Sequence, residues 1–485
     1  MSDDQALSRI RFGTDGWRAI IAQDFTFQNV ERVAQAYASY LLGQRQASLQ
    51  DETRHSKSSL VIVGYDRRFL SAQFARRAAE VLAGNDFSPA LFNEPVPTPL
   101  VSWAVRGEGA AGGVVITASH NPPTFNGFKI KAPWGGSASP ETTAEVEALV
   151  DTEPTRRREI KPEGGREMLE SAVQSYRAQV SSYIDLERLR RARLRVIIDP
   201  MHGSGGRWVE SFLEGGTLRA ETIRAGYDPL FGGVNPEPID RHLGALKQAV
   251  GETGAVIGLA TDGDADRLGA VNERGETMTM HEVVPLILLH LARRRGMTGG
   301  VVRTFSQSVL TKRIAAAHNL PLYETPIGFK YIADLMLRED ILIGAEESGG
   351  IGVRGHIPER DGVLNCLLLL EAVVAAGKTP SEMVRELYRE FGEFRFGRRD
   401  LHMEVARGQV LVNALAASTP AAIDGYTVSG VETLDGTKLL FEDESWLLFR
   451  QSGTEPVLRI YSEATSHAKT QSLLDAGQRL ARRLS

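Results

Sequence analysis

Three carboxylates at alternate positions, in Asp262-Gly263-Asp264-Ala265-Asp266-Arg267, form a compact acidic signal. Alternate side chains of an extended or looped backbone can converge on one point. Three anionic oxygen groups held together repel one another unless a hard divalent cation neutralises them. An EF-hand loop is the obvious decoy, because Glu273 stands at its twelfth position. Arg267, however, occupies the sixth position, where that loop requires glycine, and the flanking runs read as strands instead of helices. A solvated acidic turn remains the plain alternative. It is weakened by the apolar run Ala255–Ala260, which delivers the loop from a strand end.

Ser119 offers a second kind of chemistry. It sits in Thr117-Ala118-Ser119-His120-Asn121-Pro122, directly after the apolar run Gly113-Val114-Val115-Ile116. A serine in a polar loop ordinarily marks only a turn. At the carboxyl end of a buried strand it stands where open α/β sheets gather their ligands. A third loop, Arg450-Gln451-Ser452-Gly453-Thr454-Glu455-Pro456, lies between two strand-like runs, and Arg459 follows it. Guanidinium, hydroxyl and backbone N–H donors in one loop suit a phosphate. Taken alone, a hairpin turn without function explains that loop equally well.

Other candidates fail. Gly203-Ser204-Gly205-Gly206-Arg207-Trp208 puts Trp208 where a dinucleotide fingerprint needs its third glycine, and Gly377-Lys378-Thr379 lacks the upstream glycine of a nucleotide loop. Ser119 beside His120 is not a hydrolase triad, because adjacent side chains rarely face each other and no Gly-x-Ser-x-Gly elbow is present.

The elements that must carry these loops recur along the chain. Ser59–Val63, Val114–Thr117, Leu194–Ile198, Ala255–Ala260 and Ile341–Gly344 are apolar runs, each leading into a polar or glycine-rich loop and then a helical pattern. That alternation predicts several α/β units. A length of 485 residues is too great for one core and points to three or four domains. The last ninety or so residues read as α+β, with strands Trp446–Phe449 and Val457–Tyr461 and an amphipathic helix through Leu473, Leu474, Ala476, Leu480 and Leu484.

Composition narrows the class. A net charge of −5 argues against wholesale nucleic-acid binding, and the basic run Arg188–Arg193 reads as a solvated helix. The single cysteine, Cys366, excludes an intrachain disulfide and a cysteine-based zinc cluster. The opening residues carry no apolar signal core, and the greasiest stretches are interrupted by His290 and Glu371. The expectation is a cytoplasmic protein without a membrane partner.

Taken in order, the motifs resemble those of the α-D-phosphohexomutases, the phosphoglucomutase and phosphomannomutase superfamily, over essentially the whole chain. Phe12-Gly13-Thr14-Asp15-Gly16-Trp17-Arg18 is similar to that family's N-terminal signature, Thr117–Pro122 to its phosphoserine loop and Asp262–Arg267 to its magnesium loop. Glu346-Glu347-Ser348-Gly349 resembles the sugar-binding loop and Arg450–Pro456 the phosphate-binding loop. The resemblance implies three related α/β mixed-sheet domains and a smaller α+β C-terminal domain around a central cleft. The joints are expected to give domains 1–185, 186–278, 279–392 and 393–485.

It also implies reversible exchange between hexose 1-phosphate and hexose 6-phosphate, with Mg²⁺ as cofactor and a hexose 1,6-bisphosphate as intermediate and activator. Ser119 would carry the phosphoryl group, and Asp262, Asp264, Asp266 and a phosphoserine oxygen would hold the metal. Lys129 would be the general acid/base, its pKa lowered by positive charge from His120 and Arg18, with Arg267 touching the transferred group. Glu346 and Ser348 would bind sugar hydroxyls. Arg450, Ser452, Gly453, Thr454 and Arg459 would clamp the phosphate that is not transferred.

Thr325-Pro326-Ile327-Gly328-Phe329-Lys330 and the run from Gly344 through Gly362 lean toward the phosphoglucomutase branch, with Thr325 and Gly328 as substrate contacts. Dual-specificity relatives usually carry a histidine where Gly350 stands, and His356 and Arg360 are the expected substitutes. The expected reaction is therefore that of a phosphoglucomutase, with phosphomannomutase or dual specificity as the alternative, followed by a phosphoglucosamine mutase or a bisphosphate synthase. Sugar phosphates are the only expected partners, on a monomer or homodimer.

Overall fold

The structure is a computed structural model that describes residues 9–13, 16–50, 58–161, 164–453 and 456–484. Its first sheet contains β1 (Gly16–Ile20), β2 (Leu60–Tyr65), β3 (Ser88–Leu91), β4 (Gly112–Ile116) and β5 (Phe125–Lys131), in the order β1-β5-β4-β2-β3. Strands β3, β2 and β4 are parallel, and β5 then runs antiparallel to β4. The second sheet contains β6 (Arg195–Asp199), β7 (Arg219–Thr222), β8 (Ile257–Thr261), β9 (Leu268–Asn272) and β10 (Thr277–Met278), in the order β10-β9-β8-β6-β7. The third contains β11 (Gly300–Thr304), β12 (Leu322–Thr325), β13 (Ile341–Ala345) and β14 (Ile351–Val353), in the order β12-β11-β13-β14.

These three sheets repeat one topology. A central parallel strand is flanked by two parallel neighbours, and the later of these in sequence pairs with the antiparallel strand that follows it. The repeat gives three loops equivalent places. The serine loop joins β4 to β5, the aspartate loop joins β8 to β9, and the Glu346 loop joins β13 to β14. Near-continuous apolar runs make such strands, because a parallel sheet covered on both faces buries every side chain. Strands β4, β8 and β13 are buried at all five positions.

The fourth sheet is antiparallel throughout. It contains β15 (Arg395–His402), β16 (Ala422–Ile423), β17 (Tyr426–Glu432), β18 (Thr437–Phe441), β19 (Trp446–Gln451) and β20 (Val457–Ala464), in the order β15-β20-β19-β18-β17-β16. Leu447, Phe449, Leu458 and Ile460 alternate onto its buried face with Leu473 and Leu474 of the helix His467–Leu484. The opposite face carries Arg398, Tyr461, Arg459 and Arg450, which share a side by strand register. Three mixed α/β units and a distinct C-terminal antiparallel sheet are thus the architecture of the chain.

The chain divides into two compact units: residues up to Thr277 with Gly355–Val374, and Met278–Arg354 with residues from Ala375 onward. This partition cuts across the expected domain 279–392. The segment Gly355–Val374 contains most of an almost wholly apolar helix, Gly362–Ala376, buried from Gly362 through Val373. The Gly362 N–H donates to Ala265 O at 3.0 Å, which seats the helix start on the aspartate loop. Among the described residues, no single helix is long and apolar enough to cross a membrane.

Candidate active site

In the first unit, β4 ends at Ile116 and the chain turns sharply at Ser119, whose φ of 51° lies in the left-handed region. A non-glycine residue there is strained and must be held by its surroundings. Arg68 does much of the holding. Its guanidinium, fully buried, donates to Ser119 O (2.7 Å), Asn121 O (2.6 Å), Pro122 O (2.7 Å) and Phe125 O (2.9 Å), with Nε on Asp66 Oδ2 at 3.1 Å. Thr117 Oγ1 accepts from the Ser119 N–H at 2.8 Å. Arg68→Leu would take the guanidinium donor from four carbonyls and the cationic partner from the buried Asp66 carboxylate, and is expected to cost about 3–5 kcal/mol. Chemical denaturation of the variant checks this; a loss below about 1 kcal/mol would contradict the assigned role.

The aspartate loop lies against this turn. A Cβ added to Gly263 would stand 2.4 Å from Ser119 O, so the absence of a side chain lets the two backbones meet. Ser119 Oγ donates to Asp262 Oδ2 at 2.8 Å. Asp262 Oδ1 accepts from the N–H groups of Asp266 (2.9 Å) and Arg267 (3.0 Å), which shapes the loop. Carboxylate oxygens of Asp262, Asp264 and Asp266 lie within 4.8 Å of one another, all three residues buried. Asp264 Oδ1 and Asp266 Oδ1 are buried without a hydrogen-bond partner among the described residues. Buried unpaired carboxylate oxygens are costly, and an all-oxygen set of three aspartates fits a hard divalent cation. The residues present therefore suit the expected metal.

Lys129, on β5, reaches the same loop. Its Nζ lies 2.8 Å from Asp264 Oδ2 and 3.1 Å from Asp266 Oδ2. Burial and the charges of Asp266 and Asp264 hold Asp262 well above the usual carboxylate range. Burial also acts on Asp266, yet Arg360, Lys129 and Arg267 outweigh it and hold that carboxyl below its ordinary value. Burial, reinforced by Arg267 and Arg18, pushes His120 well below the ordinary imidazole range. That direction runs against the positive charge expected of His120 beside Lys129. Arg18 Nη1 donates to Asn121 Oδ1 at 2.7 Å, which anchors it to the serine loop.

His356 and Arg360 belong to the first unit. His356 Nε2 meets Asp361 Oδ2 at 2.9 Å, and the ring stacks on Trp103 with centroids 5.5 Å apart. Asp361 also accepts from Tyr176 Oη at 2.8 Å. That aromatic and carboxylate cluster encloses the buried His356 side chain. Arg360 Nη2 instead pairs with Asp266 Oδ2 at 2.9 Å. It adds positive charge beside the aspartate loop. Reading by motif also passed over Thr98, whose Oγ1 donates to Asp264 Oδ2 at 2.7 Å, and the buried pair of Lys131 with Glu359 at 2.6 Å. Only the alternation of Lys129 and Lys131 along one strand hinted at the latter.

The second unit holds the remaining candidates. Glu346 follows β13 in a turn closed by its N–H on Gly350 O at 2.9 Å, and Ser348 lies half-buried within that turn. Glu347 acts electrostatically on Arg398, Arg450 and Tyr461, so the Glu346 loop faces the basic side of the fourth sheet. Arg450 and Arg459 are register partners on β19 and β20. Ser452 is buried, its N–H on Val457 O at 3.0 Å, and Gly453 is exposed. Thr454 lies outside the described residues, as do Thr14 and Asp15. Thr325 ends β12 with a buried Oγ1 that has no hydrogen-bond partner among the described residues. Gly328, at φ 139°, starts the helix Phe329–Arg338. Arg398 and Tyr461 were missed by motif reading. They sit within ordinary strand patterns and join the basic face only through sheet register.

The sequence matches all four domain profiles of phosphoglucomutase/phosphomannomutase: alpha/beta/alpha domain I over residues 9–157, domain II over 174–275, domain III over 280–391 and the C-terminal domain over 405–477. A phosphoglucomutase/phosphomannomutase of Thermococcus kodakarensis is 30% identical over 469 residues, covering 97% of this chain and 98% of its own. A phosphoglucosamine mutase of Erythrobacter litoralis is 30% identical over 482 residues, with 97% of each chain covered. Among solved structures, one from Thermus thermophilus, provisionally assigned as a phosphomannomutase, is 36% identical with a TM-score of 0.83, covering 98% of this chain and 99% of its own. With the four profiles in order and similarity running end to end, the chain belongs to the phosphoglucomutase/phosphomannomutase family of the α-D-phosphohexomutase superfamily, and is an intramolecular phosphotransferase.

Proposed function

We propose that this chain reversibly interconverts glucose 1-phosphate and glucose 6-phosphate through phosphorylated Ser119 and a glucose 1,6-bisphosphate intermediate. The observation that carries the reading is the 2.8 Å bond from Ser119 Oγ to Asp262, at the edge of a buried aspartate triad. A free sugar hydroxyl attacks the phosphoserine phosphorus. The new P–O bond forms as the P–Oγ bond breaks, and Ser119 Oγ leaves with the bonding pair. The hydroxyl proton passes to unprotonated Lys129 Nζ, which returns it in the reverse step. Asp262, Asp264, Asp266 and a phosphoserine oxygen are the groups that would hold Mg²⁺, whose charge when bound would offset that developing on the transferred group.

Glu346 and Ser348 orient sugar hydroxyls, Thr325 and Gly328 border the ring, and Arg450, Ser452, Gly453, Thr454 and Arg459 grip the phosphate not in transfer. One serine exchanges its phosphoryl group with either end of the sugar, so the bisphosphate must reorient before returning a phosphoryl group to Ser119. The site must exclude water meanwhile, since phosphoserine would otherwise hydrolyse.

The glucose assignment rests on the likeness of the 325–330 and 344–350 loops to the phosphoglucomutase branch. Relatives named for mannose and glucosamine phosphates supply the competing readings. Rates on glucose, mannose and glucosamine 1-phosphates, each with its matching bisphosphate, decide between them. The expected order has glucose 1-phosphate first in kcat/KM, by about tenfold or more, the discrimination a few hydrogen bonds supply. A higher value for either competitor overturns the sugar assignment and leaves the phosphoryl-transfer scheme standing.

A further inference from the structure

We infer that Asp435 is a positioning residue that ties the clamp arginine Arg450 to the 325–328 loop, fixing where the phosphate is held relative to the sugar ring. The inference rests on the phosphohexomutase reading of Arg450 given above. Asp435 lies in the turn between β17 and β18, far in sequence from the loop it holds. A single carboxylate oxygen, Oδ2, accepts from the Ile327 N–H at 2.8 Å and from Arg450 Nε at 2.9 Å. The first partner is the backbone of the loop carrying Thr325 and Gly328. The second is the guanidinium at the end of β19.

The turn is built to deliver this carboxylate. Gly436 has φ 103°, and a Cβ there would lie 2.3 Å from Phe449 O, directly before Arg450. Only glycine permits that approach, and it brings the preceding residue against the strand end. The bond engages Nε, and neither Nη of Arg450 donates to a described residue. A guanidinium gripped along one edge keeps its remaining donors in a set plane, the arrangement that suits bidentate phosphate recognition. The Ile327 bond refers that plane to the loop beside the sugar. Without Asp435 the arginine would retain its charge and lose its orientation.

The test is a double-mutant cycle on the full chain, with glucose 1-phosphate as substrate and glucose 1,6-bisphosphate as activator. Asp435→Ala is expected to raise KM about tenfold while kcat changes less than about threefold, as loss of ground-state grip predicts. Asp435→Asn, which keeps the shape and one acceptor, is expected to raise KM by a smaller factor. In an Arg450→Ala background, Asp435→Ala should change KM less than about twofold, because its effect acts through the arginine. Equal KM factors in the two backgrounds would overturn the inference. So would a raised KM for Arg450→Ala alongside wild-type behaviour of Asp435→Ala. An unchanged KM for Arg450→Ala would remove the clamp reading itself, and this inference with it.

Discussion

Ser119→Ala is expected to reduce mutase turnover by about four to six orders of magnitude, the scale on which removal of a covalent nucleophile acts. Alanine cannot accept a phosphoryl group, which closes the phosphoserine route. The loss should not come from unfolding. The backbone at 119 keeps the N–H bond to Thr117 Oγ1 and the Arg68 bond to its carbonyl, neither of which uses the hydroxyl. Asp262 loses one donor but retains the N–H groups of Asp266 and Arg267. The melting temperature should therefore stay within a few degrees of the parent, given about 1 kcal/mol for one hydrogen bond. Intact-mass measurement after incubation with glucose 1,6-bisphosphate should find the parent phosphorylated and the variant not. Near-normal turnover of the variant would end the phosphoserine scheme.

Removal of divalent metal should be almost as damaging. Dialysis against a chelator is expected to lower turnover by about three orders of magnitude or more, since a metal at a phosphoryl centre contributes several kcal/mol. Added Mg²⁺ should restore it. A second readout is independent of turnover. A ligand at about 100 times its Kd stabilises the folded state by about 2.7 kcal/mol, so Mg²⁺ should raise the melting temperature of the parent. Replacing Asp262, Asp264 and Asp266 together by Asn should remove that shift. It should also leave Lys129 without the carboxylates it now faces at 2.8 and 3.1 Å. Full activity in the absence of any divalent cation would remove the aspartate assignment.

Much of this site could be read before any coordinates, for a local reason. Apolar runs that end in Ser119, Asp262 or Glu346 announce a strand and the loop beyond it within a few residues, and each loop carries its chemistry in contiguous positions. The equivalence of those loops was not legible, because strand order depends on pairings between distant segments. Arg68, Thr98, Arg398 and Asp435 escaped for the same reason: each is an ordinary residue locally, and its partners lie far along the chain. His356 shows the converse. It follows the Glu346 loop closely in sequence, yet the chain carries it into the first unit, where Asp361, Trp103 and Tyr176 enclose it.

By itself the sequence determined the inventory: a serine at a strand end, three alternating aspartates, a lysine shortly beyond the serine loop and an arginine loop near the C-terminus. Short-range patterns specify strand, turn and side-chain type, so these survive as written. Tertiary structure alone decided which of them meet. A hydrogen bond of 2.8 Å from Ser119 to Asp262 spans 143 positions of the chain, and such closures follow from the burial of whole sheets, not from any property of the residues they join.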